Sequence, residues 1–155
     1  MYFNSGGRNG GEQVLGVTDP AKRFLYAEGT TRAGFQTWLA LANPQAAQAK
    51  VVVTYLFGDG SPPAQENLTI PAKSRATVDV NKDAGAGKDV SIALTSNQPV
   101  VGERVMYFTT SGAIMGSCHS GVHNSTGASE AGTQWSFAEG TTRPNFQEYV
   151  CMMNP

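Results

Sequence analysis

Two copies of the hexapeptide Ala-Glu-Gly-Thr-Thr-Arg carry the side chains best suited to chemistry in this sequence. Their acidic and basic groups could bind a carbohydrate or another polar ligand through paired hydrogen bonds. The alternative is a corner between strands, in which glycine supplies an unusual φ and the threonine hydroxyls cap the turn. In that corner the glutamate pairs with the arginine, or the arginine pairs with Glu103. We expect the structural corner, formed by Glu28, Gly29, Thr30, Thr31 and Arg32 and again by Glu139, Gly140, Thr141, Thr142 and Arg143.

A cysteine and two histidines form a second candidate cluster. Cys118, His119 and His123 offer a thiolate and two imidazoles, which are common zinc ligands. They lie in a small, polar stretch without a clear fourth ligand, so we expect no metal and no cofactor. Cys118 and Cys151 form a candidate disulfide, which would close a loop of about 33 residues and stabilise the fold by about 3 kcal/mol in an oxidising compartment. The alternative is two free thiols, with Cys151 buried at the position that aligns with Ala40.

Two further residue types could be modified or could bind a cation. Asn67 and Asn124 each begin an N-x-T sequence, so both are candidate N-glycosylation sites if the source organism glycosylates. Several aspartates lie near predicted turns but lack the spacing of a calcium-binding loop, and we expect no calcium site. They are Asp59, Asp79, Asp83 and Asp89.

Composition and motif content exclude several classes of function. The net charge is −1 without a basic cluster, so no nucleic-acid partner is expected. The longest apolar run is about five residues, well short of the roughly 20 that a membrane-spanning helix needs. No nucleophile elbow, zinc-protease helix, phosphate-binding loop or dinucleotide fingerprint occurs. We therefore expect a non-catalytic protein and not an enzyme.

The chain contains an internal duplication. Residues 23–44 and 134–155 are identical at ten of 22 positions, at a spacing of 111 residues, which fits a small sandwich domain rather than a solenoid turn. Met-Tyr-Phe also recurs, at 1–3 and 106–108, with a spacing of 105. The six-residue difference between the spacings falls in a Gly/Ser-rich stretch, where loop insertions cost little. Met1 is therefore interpreted as an internal methionine of a tandem array.

Short β-like runs with turn signals between them account for most of the remaining sequence. The runs are residues 23–27, 35–42, 50–57, 67–70, 75–80, 89–94 and 99–108, and in the second run Phe35, Thr37, Leu39 and Leu41 are predicted to share one face. The pattern predicts an all-β fold, a seven-stranded immunoglobulin-like β-sandwich plus a surplus two-strand segment from the next repeat. The predicted organisation is 1–21, the end of a preceding repeat strand and a Gly-rich linker; 22–108, the β-sandwich repeat; 109–133, a linker; and 134–155, the first two strands of the next repeat.

Four segments carry a family resemblance: AEGTTR, the strand that ends in Asn-Pro, VTYLFGDG and PVVGERVMYF. Residues 22–108 and 134–155 resemble the AEGTTR-containing secreted tandem repeats of bacterial envelope proteins, which are β-sandwich domains of unknown function. The resemblance implies a location outside the cell or at the cell surface and a repeat architecture. It implies no activity or ligand.

The surplus strands suggest a function, because two unaccompanied strands are at best marginally stable in water. We expect a non-catalytic extracellular structural repeat, a subunit of a surface filament, stalk or sheath. Its partners are neighbouring copies of itself, joined by strand exchange or head-to-tail packing. The alternative is a multivalent adhesin or carbohydrate-binding module, with Trp38, Tyr55 or Trp135 as an exposed aromatic platform.

Overall fold

A computed structural model describes residues 2–5, 8–110, 119–144, 146 and 148–155. The described residues form nine strands and one short helix, and every strand pairing is antiparallel. The elements are β1 (Tyr2–Ser5), β2 (Arg8–Gly11), β3 (Ala21–Tyr26), β4 (Phe35–Asn43), β5 (Ala49–Phe57), β6 (Ala64–Ile70), β7 (Ser74–Asp79), α1 (Val80–Ala84), β8 (Val90–Thr110) and β9 (His119–Ser125). None of the described helices is long and apolar enough to cross a membrane.

Strand β8 is 21 residues long and organises the sheet. Its first half pairs with β3 and β5, and its second half pairs with β4 and β9. The pairing changes partners around Asn97 and Pro99. Pro99 has no N–H to leave unpaired there, and the Asn97 side-chain oxygen accepts the Lys50 N–H at 2.7 Å. The strand therefore continues through this point while its pairing partners change.

The main sheet runs in the order β6-β5-β8-β4-β7 and curls into a nearly closed antiparallel barrel. The two outermost strands, β6 and β7, are joined by the short turn at 71–73. Beside this turn the buried Asn43 side-chain nitrogen donates to the carbonyl oxygens of Ile70 (3.1 Å) and Pro71 (3.0 Å). These bonds fasten the turn to the end of β4.

The all-β prediction is confirmed, but the immunoglobulin-like sandwich is wrong. The sandwich prediction required two separate sheets, with residues 89–94 and 99–108 as different strands. In the structure those residues belong to the one strand β8, which joins both halves into a barrel-like sheet. The residues between the two predicted strands, 95–98, belong to β8 as well.

The core lies inside this curled sheet, and its residues alternate along the strands as a half-buried β pattern requires. On β4, Thr37, Leu39 and Leu41 are buried and Phe35 is half-buried, so three of the four residues of the predicted face lie in the core. On β5, alternation runs from Ala49 to Tyr55. The remaining core is contributed chiefly by β3 and β8, with Phe24, Tyr26, Val90, Ile92, Leu94 and Val100.

The predicted linkers and the predicted surplus strands differ from what the structure contains. Residues 1–21 include the hairpin β1–β2, and residues 109–133 include the end of β8 and all of β9. The described residues of 134–155 form no strand, so the surplus two-strand segment is absent from this chain's sheet. The physical reason is that β8 already holds β3 and β4 at the positions the second copy would need.

We predict that Leu39→Ala lowers the free energy of unfolding by about 3 kcal/mol, since it removes a fully buried side chain from the barrel. Val150 is the matched control, because it holds the same place in the second copy but is exposed. Val150→Ala should change stability by less than about 0.5 kcal/mol. Urea unfolding at low protein concentration measures both, and equal losses would contradict the assignment of the core.

Candidate functional site

The first copy of the hexapeptide connects β3 to β4 and packs against the segment before β8. Thr31 is at its centre: its amide N–H donates to the Lys88 carbonyl (2.8 Å), and its hydroxyl donates to the Gly85 carbonyl (2.5 Å). The Lys88 N–H donates back to the Thr31 hydroxyl at 2.9 Å. The hexapeptide is therefore bound to a segment more than 50 residues away in sequence.

The glycine of this copy is required by space rather than by an unusual φ. Gly29 has no positive φ, but its carbonyl accepts the Val90 N–H at 2.9 Å. A Cβ at this position would lie 3.0 Å from Val90 Cγ2 and 3.2 Å from the Val90 carbonyl oxygen. Any larger residue would push the corner away from β8.

The acidic and basic side chains of the hexapeptide do not pair with each other. Arg32 forms an ion pair with Asp89, and both side chains are at least half exposed, so the pair contributes less than about 1 kcal/mol. Glu28 instead pairs with Arg104 on β8, at 3.1 Å between carboxylate oxygen and Nη2. Glu103, the partner expected from sequence, precedes Arg104 and does not take part in either pair.

Glu28, Arg104 and His123 form a polar cluster at the point where β3, β8 and β9 meet. Arg104 is only 2 % exposed, although it is a permanently charged residue. His123 Nδ1 lies 3.3 Å from the Glu28 carboxylate oxygen and 3.1 Å from Arg104 Nη2. Arg104 Nε and Nη1 are buried without a hydrogen-bond partner among the described residues. Glu28 is therefore the main compensation for the buried charge of Arg104.

Electrostatics in the cluster follow from this geometry. The hydrogen bond from His123 lowers the pKa of Glu28, and the charge of Arg104 lowers it further, while partial burial opposes both. Burial lowers the pKa of Arg104, and the carboxylate of Glu28 raises it again. Glu28 is consequently held in its ionised form.

A cleft of about 410 Å³ lies over this corner. Its walls come from the hexapeptide, from the start of β8 around Asp89 and Val90, and from Tyr149 and Cys151 of the second copy. The cleft offers a carboxylate and a guanidinium, which can hydrogen-bond a polar ligand. The carboxylate of Glu28, whose pKa is lowered, is an ionised hydrogen-bond acceptor in this cleft.

The second hexapeptide keeps the local bonds of the first but not its long-range bonds. The Arg143 N–H donates to the Thr141 hydroxyl (3.4 Å), as the Arg32 N–H does to Thr30 (3.3 Å). The Phe146 N–H donates to the Arg143 carbonyl at 2.9 Å, which repeats the bond from Phe35 to Arg32. The described residues from Glu139 to Arg143 are largely exposed, and no bond from them to a distant strand is recorded in the described part of the chain.

The other residues singled out from sequence lie apart from this cluster or outside the described chain. Cys118 lies outside the described residues. Cys151 is an exposed residue, and the partial burial of its thiol raises the pKa of that thiol. Asn67 is exposed on β6, and Asn124 is half-buried on β9. No group of three or more metal-ligating side chains occurs within the described ranges, and His123 contacts Glu28 and Arg104 instead.

Sequence reasoning missed Arg104, which is the residue that the cluster depends on. The signal was available in the alternation of β8. Arg104 has the same parity as the buried Gly102 and Met106, whereas Glu103 points the other way. Asp89, the partner of Arg32, carried no comparable signal.

Comparison with known proteins concerns the fold alone. No family model and no curated protein matches the chain. The crystal structure of Thermotoga maritima 1070 matches 74 % of this chain and 98 % of that one, with a TM-score of 0.62 and 22 % identity. The Anabaena sensory rhodopsin transducer matches 57 % of this chain and 97 % of that one, with a TM-score of 0.47 and 22 % identity. The structural similarity is to a nearly closed β-barrel, so the resemblance to the envelope tandem-repeat family is corrected.

We predict that Glu28→Gln lowers the free energy of unfolding at pH 7 by about 2 kcal/mol, because Arg104 loses its charged partner. The value is below the roughly 3–5 kcal/mol for a fully buried pair, since the Glu28 side chain is 38 % exposed. Glu139→Gln makes the same change in the exposed second copy and should have no effect.

The cluster also predicts a pH dependence of stability. The pKa of Glu28 is lower in the folded state, so its contribution is complete above its unfolded-state value of about 4.5 and is lost as the pH falls through the folded value. Thermal unfolding between pH 7 and pH 3 should show a smaller decline for Glu28→Gln than for the wild type. Identical declines would show that Glu28 is not paired in solution.

Proposed function

We propose that the protein is a non-catalytic structural repeat that works outside the cell, as a subunit of a surface filament, stalk or sheath. Its partners are neighbouring copies of itself, and residues 134–155 are the segment that joins them. One observation carries the proposal: a sequence that forms the core in its first copy is exposed in its second.

The paired positions make this contrast specific. Leu39 is 0 % exposed, whereas Val150, 111 residues later, is 61 % exposed. Leu41 is 2 % exposed, whereas Met152 is 86 % exposed. The aromatic pair Phe24 and Tyr26 is buried, and its counterparts are exposed; these are Trp135 and Phe137. Large apolar side chains arranged in a strand pattern and left in water indicate an interaction surface.

The second copy is already shaped for docking. Its turn bonds at Thr141, Arg143 and Phe146 repeat those of the first copy, so these local bonds form without a sheet beside them. What the copy lacks is a sheet. An ordered turn reduces the conformational entropy lost when the flanking strands pair with a partner.

The first copy defines what the partner must offer. Strand β3 pairs with β8, and β4 lies between β7 and β8. A partner for residues 134–155 is therefore a set of strands equivalent to β5–β9 with the positions of β3 and β4 open. Another copy of this chain opens those positions only when its own β3 and β4 leave them, so the joint is an exchange of strands. Strand addition of this kind combines backbone hydrogen bonds with burial of alternate side chains.

One position departs from the first copy and changes the pairing there. Glu148 replaces the buried Thr37, whose hydroxyl accepts from the Thr30 N–H at 3.3 Å and donates to the Thr30 carbonyl at 2.7 Å. A carboxylate can accept the first bond but cannot make the second, so the Glu148 carboxylate must stay in contact with water when residues 134–155 pair. Glu148 already lies against Gly140, as Thr37 lies against Gly29 in the first copy.

We predict that the chain self-associates as its concentration rises and that Val150→Asp together with Met152→Asp abolishes this association. Two carboxylates at positions that must be buried in the partner's core cannot be desolvated. Sedimentation velocity measures the mass, and the barrel's own unfolding curve should not change, because both residues are exposed in the single chain.

Met153→Asp is the matched control, since its counterpart Ala42 lies outside the buried core of the first copy. It should leave association nearly unchanged. A wild-type chain that stays monodisperse at high concentration would contradict the proposal, and electron microscopy of native surface material should show fibres or a sheath.

A carbohydrate-binding or adhesive module is the second candidate, and the exposed Trp135 together with the cleft beside Glu28 favours it. Tyr55 is buried and Trp38 is half-buried, so neither provides an open platform. This candidate predicts binding on a glycan array that Trp135→Ala abolishes and Glu28→Gln weakens. An array without hits would remove it.

A further inference from the structure

The hairpin β1–β2 repeats the hairpin β8–β9 pair by pair. The first hairpin pairs Tyr2 with Gly11, Phe3 with Gly10, Asn4 with Asn9 and Ser5 with Arg8. The second pairs Tyr107 with Val122, Phe108 with Gly121, Thr109 with Ser120 and Thr110 with His119. The first strands are 105 residues apart and the second strands 111 apart, so the register is the same in both hairpins.

The intervening segments explain the two spacings. Residues 6–7 separate the strands of the first hairpin, and residues 111–118 separate those of the second. The second segment is longer by six residues, which equals the difference between the spacings. Residues 2–11 are thus a second copy of the hairpin that the last four residues of β8 form with β9.

The two hairpins contact each other at equivalent positions. The Asn9 N–H donates to the Ser120 hydroxyl at 3.3 Å, and that hydroxyl donates to the Asn9 carbonyl at 3.1 Å. Asn9 and Ser120 are 111 residues apart, which is the period of the repeat. The contact therefore joins one copy of the hairpin to the next at the same residue of each.

The groups that meet are different on the two sides. Asn9 contributes the backbone N–H and C=O on the outer edge of β2, and Ser120 contributes its side chain. A contact between unlike surfaces of equivalent elements is heterologous, and unless the rotation closes a ring it continues as an open chain.

The second hairpin has an outer edge equivalent to that of the first. The Thr109 N–H donates to the Gly34 carbonyl (2.8 Å), which lies on the β4 side of β8. Thr109 and Ser120 therefore do not exchange hydrogen bonds, and the Ser120 backbone groups point to the outer edge of β9. In the described part of the chain, the only strand paired with β9 is β8.

The first hairpin also carries the matching side chain. Asn9 occupies the position of Ser120, is exposed, and its amide can both donate and accept, as a hydroxyl can. Each hairpin thus offers the backbone groups of its outer edge to one neighbouring hairpin and a side chain to another.

We propose that copies of this repeat join head to tail through their hairpins. The backbone N–H and C=O on the outer edge of one hairpin bond the side chain at the equivalent position of the next hairpin. The partner is a second copy of the same hairpin. Asn9 and Ser120 make this joint within the chain, and the outer edge of β9 makes it with another chain. This inference rests on the proposed assembly for its second half, whereas the joint within the chain stands without it.

The in-chain joint is tested by hydrogen exchange of the Asn9 amide in the full chain. Ser120→Ala should raise the exchange rate of that amide by about tenfold, because its acceptor is lost. Ser120→Asn, which supplies the residue found at the equivalent position, should retain the protection. Amides of the β5–β8 pairing should be unaffected in both variants. An Asn9 amide that exchanges as fast in the wild type as in Ser120→Ala would overturn the inference.

The joint between chains is tested by Asn9→Ala. This substitution removes the side chain that would bind the β9 edge of another chain, but it keeps the backbone bonds to Ser120. Association measured by sedimentation should weaken about tenfold with Asn9 amide protection unchanged. Asn4→Ala makes the same change on β1 and is the control. A closed dimer would overturn the head-to-tail arrangement. A wild-type chain that never associates would refute the proposed function, and the exchange experiment would still decide the hairpin joint.

Discussion

Strand β8 passes through both halves of the barrel, and its backbone groups are shared among β3, β4, β5 and β9. This continuity is the constraint on which the rest of the structure depends. Gly102 shows how tightly it is imposed, because a Cβ there would lie 2.7 Å from the Tyr26 hydroxyl. Gly102 pairs with Leu41 of β4, so a larger side chain there would have to displace the tip of Tyr26. The corner at the first hexapeptide, the Arg104 cluster and the β8–β9 hairpin are all positioned by this one strand.

The strands and their inward faces could be read from the sequence, because alternation is local information. The alternation of Thr37, Leu39 and Leu41 on β4 is an example. The architecture could not be read in the same way. A polar run that ends in Pro99 has the same sequence pattern whether the chain turns there into a second sheet or continues as one strand. Only the register around it distinguishes the two, with Ser96 still paired to β5 and Val101 already paired to β4.

The candidate site shows the same division between local and distant information. The hexapeptide could be recognised as a corner candidate because it occurs twice, but its partners lie more than 50 residues away. Glu103 and Arg104 are adjacent, and choosing between them requires the parity of a strand whose full length was not recognised. A charged side chain on the inward face of β8 is costly without a partner, so Arg104 and Glu28 must be explained together.

The two copies of the duplicated segment show which features the local sequence determines and which depend on neighbouring strands. Both copies form the same turn, with bonds to Thr30 and Thr141 at nearly the same distance. Only the first copy has β7 and β8 beside it, and only there do its apolar side chains become a core. Strand formation in this protein is therefore a property of the edge that receives the strand. The unit of folding consequently includes the acceptor, and the second copy, which has none in this chain, keeps its turn and leaves its apolar side chains exposed.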